Sequence, residues 1–149
     1  MTLPKSLSTA LLASAACLLV APGVAMAEPM HHADTAPRET VTPAFSNPIA
    51  NIPGKSLMAV VVTYPPGGKT PPHVHAKSAF ITGYVLSGAI RSKVDTGPDH
   101  VFKAGESWTE EPGAHHGMSE NASATEPASL LAIFVVDSDE KALTTFVDK

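Results

Sequence analysis

From residue 57 onward, short runs of β-favouring residues alternate with turn residues at intervals of roughly 8–12 positions, the spacing of an all-β sandwich or barrel. Residues 57–64 (Leu-Met-Ala-Val-Val-Val-Thr-Tyr) form the first clear strand, stopped by Pro65-Pro66-Gly67-Gly68. Residues 80–86 form the next and turn at Ser87-Gly88 into 89–94, where Ile90 and Val94 face one way. After the turn Thr96-Gly97-Pro98-Asp99 come two short strands, 100–103 and 106–110, around Ala104-Gly105. Pro112-Gly113 makes another turn, and 130–136 (Leu-Leu-Ala-Ile-Phe-Val-Val) is a continuous apolar run of the kind a buried strand shows. No segment sustains a 3.6-residue period. So many short strands avoid open edges by closing into a barrel or packing as two sheets, which makes the expected class all-β.

The hydrophobic pattern at the N-terminus is of another kind. Lys5 precedes a run of apolar and small residues, 7–20, that ends at Pro22-Gly23 and Ala25-Met26-Ala27. The run is too short for a membrane helix of roughly 20 apolar residues and has the layout of a secretory signal cleaved after Ala27. The expected location is therefore periplasmic or secreted, with no membrane partner once the signal is removed. Cys17 is the only cysteine. It lies within the apolar run, and Ser14 stands where a lipid-attachment site would carry a large aliphatic residue. The mature chain then has no disulfide and no cysteine ligand or nucleophile.

Residues 28–56 contain Pro29, Pro37, Pro43, Pro48 and Pro53, which exclude a continuous helix and leave an extended N-terminal arm. The reading is of three parts: signal 1–27, arm 28–56 and one folded domain 57–149. His31-His32 in the arm reads as a solvated pair. The formal net charge of −4 and the thin scatter of Lys and Arg supply no basic stripe for nucleic acid.

The chemistry resides in two stretches. In Gly67-Gly68-Lys69-Thr70-Pro71-Pro72-His73-Val74-His75, the two His lie two apart, and a strand would set both imidazoles on one face. Imidazole is the commonest protein metal ligand. The second stretch is Gly105-Glu106-Ser107-Trp108-Thr109-Glu110-Glu111-Pro112-Gly113-Ala114-His115-His116, followed by Gly117 to Asn121. Together they resemble the two motifs of the cupin superfamily, G-x5-H-x-H-x3,4-E-x6-G and G-x5-P-x-G-x2-H-x3-N. The resemblance is to a small single-domain cupin of the type-2 kind in a secreted bacterial form. It implies a double-stranded β-helix, or jelly-roll barrel, in which the motifs form adjacent strands. It also implies that His73, His75 and His116 hold one divalent transition metal, whether Fe, Mn, Ni, Zn or Cu. Neighbours in a strand face opposite ways, so His115 would point outward.

The family's carboxylate ligand falls at Ala79 or Phe80 counted from His75, or at Ile81 counted back from Gly88, and none of these binds a metal. Either the site has three His and several open positions, or a carboxylate arrives from elsewhere. Glu110 and Glu111 are nearest in sequence, but adjacent Glu beside a turn read as a solvated face. One residue is inserted before Pro112, and Asn121 comes one place late.

Three neutral imidazoles leave the ion's charge uncompensated and favour an anionic ligand. By resemblance, some three-His cupins are iron dioxygenases of small thiols or diketones. The expectation is thus a non-haem metal dioxygenase acting on a small anionic or chelating molecule. The alternatives are a non-catalytic binding module and a structural cupin that has lost its metal. The resemblance also implies a homodimer paired through its sheets, with the arm crossing to the partner. Trp108 and Tyr84 line a pocket or pack the core. Gly83, in the register that puts Ile81 in the carboxylate slot, faces inward and enlarges the pocket. Asn121-Ala122-Ser123 matches N-x-S but carries little weight behind a bacterial-type signal.

Overall fold

Each β-favouring run becomes a strand in the computed structural model, which describes residues 38–147. The strands are β1 (Thr40–Pro48), β2 (Lys55–Tyr64), β3 (Lys69–Thr70), β4 (His73–His75), β5 (Phe80–Ser87) and β6 (Ala89–Val94), then β7 (His100–Lys103), β8 (Ser107–Glu110), β9 (His115–Asn121), β10 (Ala128–Asp137) and β11 (Thr144–Phe146). No helix occurs among the described residues, so none there is long and apolar enough to cross a membrane. The expected signal, its cleavage site and His31-His32 lie outside the described residues.

Two antiparallel sheets result, one in the order β1-β2-β10-β5-β8 and the other β11-β4-β9-β6-β7 with β3 also on β9. This is the two-sheet, all-β architecture the turn spacing called for, in the jelly-roll form the resemblance implied. The apolar run of β10 is explained by its place in mid-sheet, paired with both β2 and β5. Leu130, Phe134 and Val136 turn into the space between the sheets and are buried, while Leu131, Ile133 and Val135 occupy the outer face. Tyr64, Val85, Ile90, Ala128 and Leu130 make one core cluster, and Ala79, Ile81, Phe134 and Val136 a second. Full burial of each large aliphatic side chain contributes about 1.5–3 kcal/mol.

Part of the arm is a strand in the sheet. Residues 40–48 pair with β2 from Thr40↔Thr63 to Pro48↔Ser56, with an irregularity between Pro43 and Phe45. Proline excludes a helix there, but an edge strand tolerates it where the ladder is already interrupted. Tyr84 corrects both the pocket and the core-packing readings: it sits exposed on the outer face of β5 beside Phe80 and Leu86, because Ile81, Gly83 and Val85 take the inward positions.

The barrel also carries one irregularity that shapes its interior. In the β6–β9 ladder Lys93 pairs with Met118 but Val94 pairs with His116, so Gly117 is unpaired. Such a bulge breaks the period-two alternation. His116 and Ser119, three apart, therefore both face inward and are both buried.

Candidate metal centre

Strand β4 sets His73 and His75 on its inner face with Val74 between them, and β9 lies beside it with His73 opposite His116 and Val74 opposite His115. The structure thus brings the three expected histidines together, all buried, and leaves His115 exposed. Gly113 makes the turn into β9 with φ of 77°, a conformation that disfavours a side chain. Ring centroids are 4.8 Å apart for His73 and His75, 5.1 Å for His73 and His116, and 5.9 Å for His75 and His116. One ligating nitrogen from each ring falls within 4.8 Å of the others. Donors about 2.1 Å from a common ion lie at most about 4.2 Å apart, a difference that small ring rotations close.

The outer nitrogens of two rings are already held. His73 Nδ1 lies 2.8 Å from the carbonyl oxygen of Pro71. A carbonyl only accepts, so in the neutral ring Nδ1 carries the proton and Nε2 keeps its lone pair. His116 Nε2 is 2.8 Å from Ser92 Oγ, and its Nδ1 lies on the side of Glu110, 3.3 Å from Oε1. Metal-ligating His characteristically engages its second nitrogen in this way. His75 differs: both its ring nitrogens are buried without a hydrogen-bond partner. An orphaned buried nitrogen is costly unless something coordinates it, so the donor set fits an ion.

Burial is the main reason His116 titrates far below its ordinary value, at about 4; the neighbouring His73 and His75 push the same way and Glu110 opposes them. Burial also lowers His73. Both are therefore neutral at pH 7, the form that ligates.

The solvated reading of Glu110 is overturned. Its side chain is 3% exposed, with Oε2 2.9 Å from His75 Nε2 and Oε1 3.3 Å from His116 Nδ1. The first pair is close but not aligned as a hydrogen bond, and Oε2 has no hydrogen-bond partner. Trp108 Nε1 donates to Oε1 at 2.9 Å. Burial alone would raise this carboxyl, but the contacts with His75, His116 and Trp108 outweigh it and hold it below the usual range. Glu111, next along, is exposed as expected. The alternation in Trp108-Thr109-Glu110 was the signal: if the indole faces in, so does the carboxylate two residues on.

A cavity of about 220 Å³ opens over the histidines. Its walls are mostly apolar, including Val60, Val62, Leu130 and Phe134, with Phe146 of β11 packed edge-on to His73 at 6.1 Å. Two polar features of the lining went unread in the sequence. Tyr64 Oη is hydrogen-bonded to Thr70 Oγ1 and Ser119 Oγ, each at 2.8 Å. Glu39 also lines the cavity, its side chain 7% exposed and Oε2 3.4 Å from Arg38 Nε without a hydrogen-bond partner. Gly83 faces inward as its register required, but the space it leaves is filled by the Trp108 ring. Asn121 is buried and structural: Nδ2 donates to the carbonyls of Pro65 and Glu126, and Oδ1 accepts from Ser123 N–H.

Comparison with known proteins agrees with this architecture. A family model described as a cupin domain matches residues 60–134. No curated protein matches the chain. Among solved structures, the cupin domain of Schizosaccharomyces pombe Cnp3 superposes with a TM-score of 0.54 at 19% identity, over 67% of this chain and 62% of that one. The protein TT1209 from Thermus thermophilus gives 0.53 at 23% identity, over 66% and 84% of the two chains. Oxalate oxidase in complex with the substrate analogue glycolate gives 0.56 at 24% identity, over 73% and 55%. The match thus spans less than two thirds of the Cnp3 and oxalate oxidase chains, and likeness at these identities speaks to the fold.

Proposed function

The chain belongs to the cupin superfamily, and from that premise we propose that it is an exported metal-dependent cupin. In this reading it is a non-haem dioxygenase acting on a small chelating or anionic organic molecule. The observation that supports the reading best is the convergence of three buried imidazoles beneath an apolar-walled cavity. His73, His75 and His116 would hold one divalent transition metal, which when bound supplies Lewis acidity and open positions for ligands.

The chain's own residues do the remainder. Pro71 and Ser92 fix the rings of His73 and His116. The apolar walls exclude water and take the body of the substrate, while the Tyr64, Thr70 and Ser119 hydroxyls and the Glu39 carboxylate offer polar contacts in the same cavity.

Export rests on the Lys5, 7–20 and Ala25-Met26-Ala27 pattern; N-terminal sequencing of the mature protein should begin at Glu28. We also propose a homodimer. Exposed Phe45, Phe80, Tyr84 and Leu86 join half-buried Leu131, Ile133 and Val135 on the outside of the five-stranded sheet, a face more apolar than an antiparallel sheet shows to water.

The reaction is tested by loading metal-free protein anaerobically with Fe(II) and following oxygen uptake with small thiols, diketones and phenolics. Metal-dependent uptake with one class supports the oxygenase. Binding of such compounds without uptake favours the non-catalytic module.

A further inference from the structure

We propose that Glu110 is the metal's carboxylate ligand, delivered from β8 in place of the one other cupins carry on β5, and that Gly83 and Trp108 aim it. This rests on the reading that the histidines hold a metal, and it names a ligand that reading leaves out.

The register makes the substitution geometrically simple. Glu110 lies directly opposite Ile81, the position where counting back from Gly88 places the family's carboxylate. Residues paired across antiparallel strands share a face, with Cβ atoms about 4.5–5.5 Å apart. A carboxylate at 110 therefore reaches the region that one at 81 would reach, from the neighbouring strand. Ile81 is 1% exposed and fills with hydrocarbon the space left behind.

The contacts of Glu110 separate a ligand from a mere hydrogen-bond partner. Its two oxygens touch two different imidazoles, at 2.9 and 3.3 Å. The shorter contact is not aligned as a hydrogen bond, and both of its atoms, His75 Nε2 and Glu110 Oε2, are buried and otherwise unsatisfied. Donors about 2.1 Å from one ion and at right angles stand about 3.0 Å apart, so a nitrogen and an oxygen at 2.9 Å with no aligned proton between them have the separation of co-ligands. A buried carboxylate is expected to be paired with charge or to coordinate a metal.

The aiming device follows from the next pair along the same ladder. Gly83 is opposite Trp108, and a Cβ on Gly83 would stand 2.5 Å from Trp108 Cζ2. The missing side chain lets the indole pack close against β5, and from there its N–H donates to Glu110 Oε1 at 2.9 Å. Oε1 is thereby fixed and Oε2 is left for the ion. One carboxylate cuts the charge of a divalent site from +2 to +1. The strongly cationic three-His centre expected from sequence is thus replaced by a milder one with less pull on anions.

Co(II) titration of untagged, metal-free protein tests this, read by affinity and by the d–d absorption of the bound ion. Glu110→Gln, which keeps shape and packing, should bind Co(II) at least about tenfold more weakly and shift the absorption bands. Trp108→Phe should weaken binding by about tenfold with a smaller band shift. Moving the carboxylate back to β5 in Ile81→Glu/Glu110→Ala should restore affinity lost in Glu110→Ala. Wild-type affinity and bands in Glu110→Gln overturn the assignment while leaving the three-His site intact. Weaker binding with unchanged bands also overturns it, by showing that Glu110 acts only through His75. Wild-type affinity in Trp108→Phe overturns the aiming role. A folded swap variant no tighter than Glu110→Ala refutes the equivalence of the two positions. Failure of the wild type to bind Co(II) removes the metal reading itself.

Discussion

Substituting Gly83 by Ala puts one methyl group where the structure has an indole. The added Cβ would lie 2.5, 2.7 and 2.9 Å from Cζ2, Cε2 and Cη2 of Trp108, whereas carbon atoms in comfortable contact sit about 3.5–4.0 Å apart. The ring must withdraw by about 1 Å. It has little room to do so, because Nε1 donates a hydrogen bond to Glu110 and the ring packs against Phe102 at a centroid distance of 4.8 Å, tilted by 32°. Overpacking of this kind costs about 1–3 kcal/mol, and replacing a mid-strand glycine by alanine returns about 0.5–1 kcal/mol of backbone entropy. The expected net loss is about 1–2 kcal/mol. Urea denaturation of the metal-free protein, followed by circular dichroism and by the fluorescence of the single tryptophan, measures it. Phe lacks the outer ring carbons that clash, so Gly83→Ala in a Trp108→Phe background should cost much less, giving a coupling of about 1 kcal/mol. A Gly83→Ala protein as stable as wild type, with additive effects in the double variant, would refute the packing argument.

Acid should destabilise the metal-free protein. His116 and His73 have folded values below the ordinary 6.5, His116 at about 4, so between those pH values the unfolded chain binds protons that the folded chain does not. Stability therefore falls as pH drops through this window, by on the order of 3 kcal/mol for His116 alone. Glu110, held below 4.5, adds a further loss at lower pH; a flat urea midpoint from pH 7.5 to 4.5 would contradict this. Asn121→Ala removes both donor bonds to the Pro65 and Glu126 carbonyls and should cost about 2–3 kcal/mol in denaturation while leaving metal content unchanged. Light scattering should give a dimer mass for wild type and a monomer mass for a Tyr84→Glu/Leu86→Glu variant, and a monomeric wild type would dispose of the outer-face interface.

The strands that form the core were legible because their apolar runs are long enough to show, as in β2, β5 and β10, and the turns between them carry Gly and Pro. The His73 and His75 pair was legible from its two-residue spacing in a strand, and His116 joined it through the resemblance to the second cupin motif, whose Gly113-Ala114-His115-His116 fits G-x2-H. What escaped depends on pairing between strands distant in sequence. Strand β1 was hidden by Pro43 and Pro48, which an edge tolerates. The bulge at Gly117 leaves no mark on composition, yet it turns Ser119 as well as His116 inward. Glu110 looked like half of an exposed acidic pair, and only the β5–β8 register reveals that it stands opposite the empty carboxylate slot. Glu39 enters the cavity lining from the segment just before β1, which an unpaired arm gave no reason to place there.

The central claim is that buried imidazoles from β4 and β9 bind one metal ion. It is tested most directly by elemental analysis of untagged protein, loaded with a divalent transition metal and freed of excess. Wild type and His115→Ala should each carry one ion per chain, and His73→Ala, His75→Ala and His116→Ala should each carry far less. Substoichiometric metal in wild type, or equal loading in His75→Ala, would contradict the account.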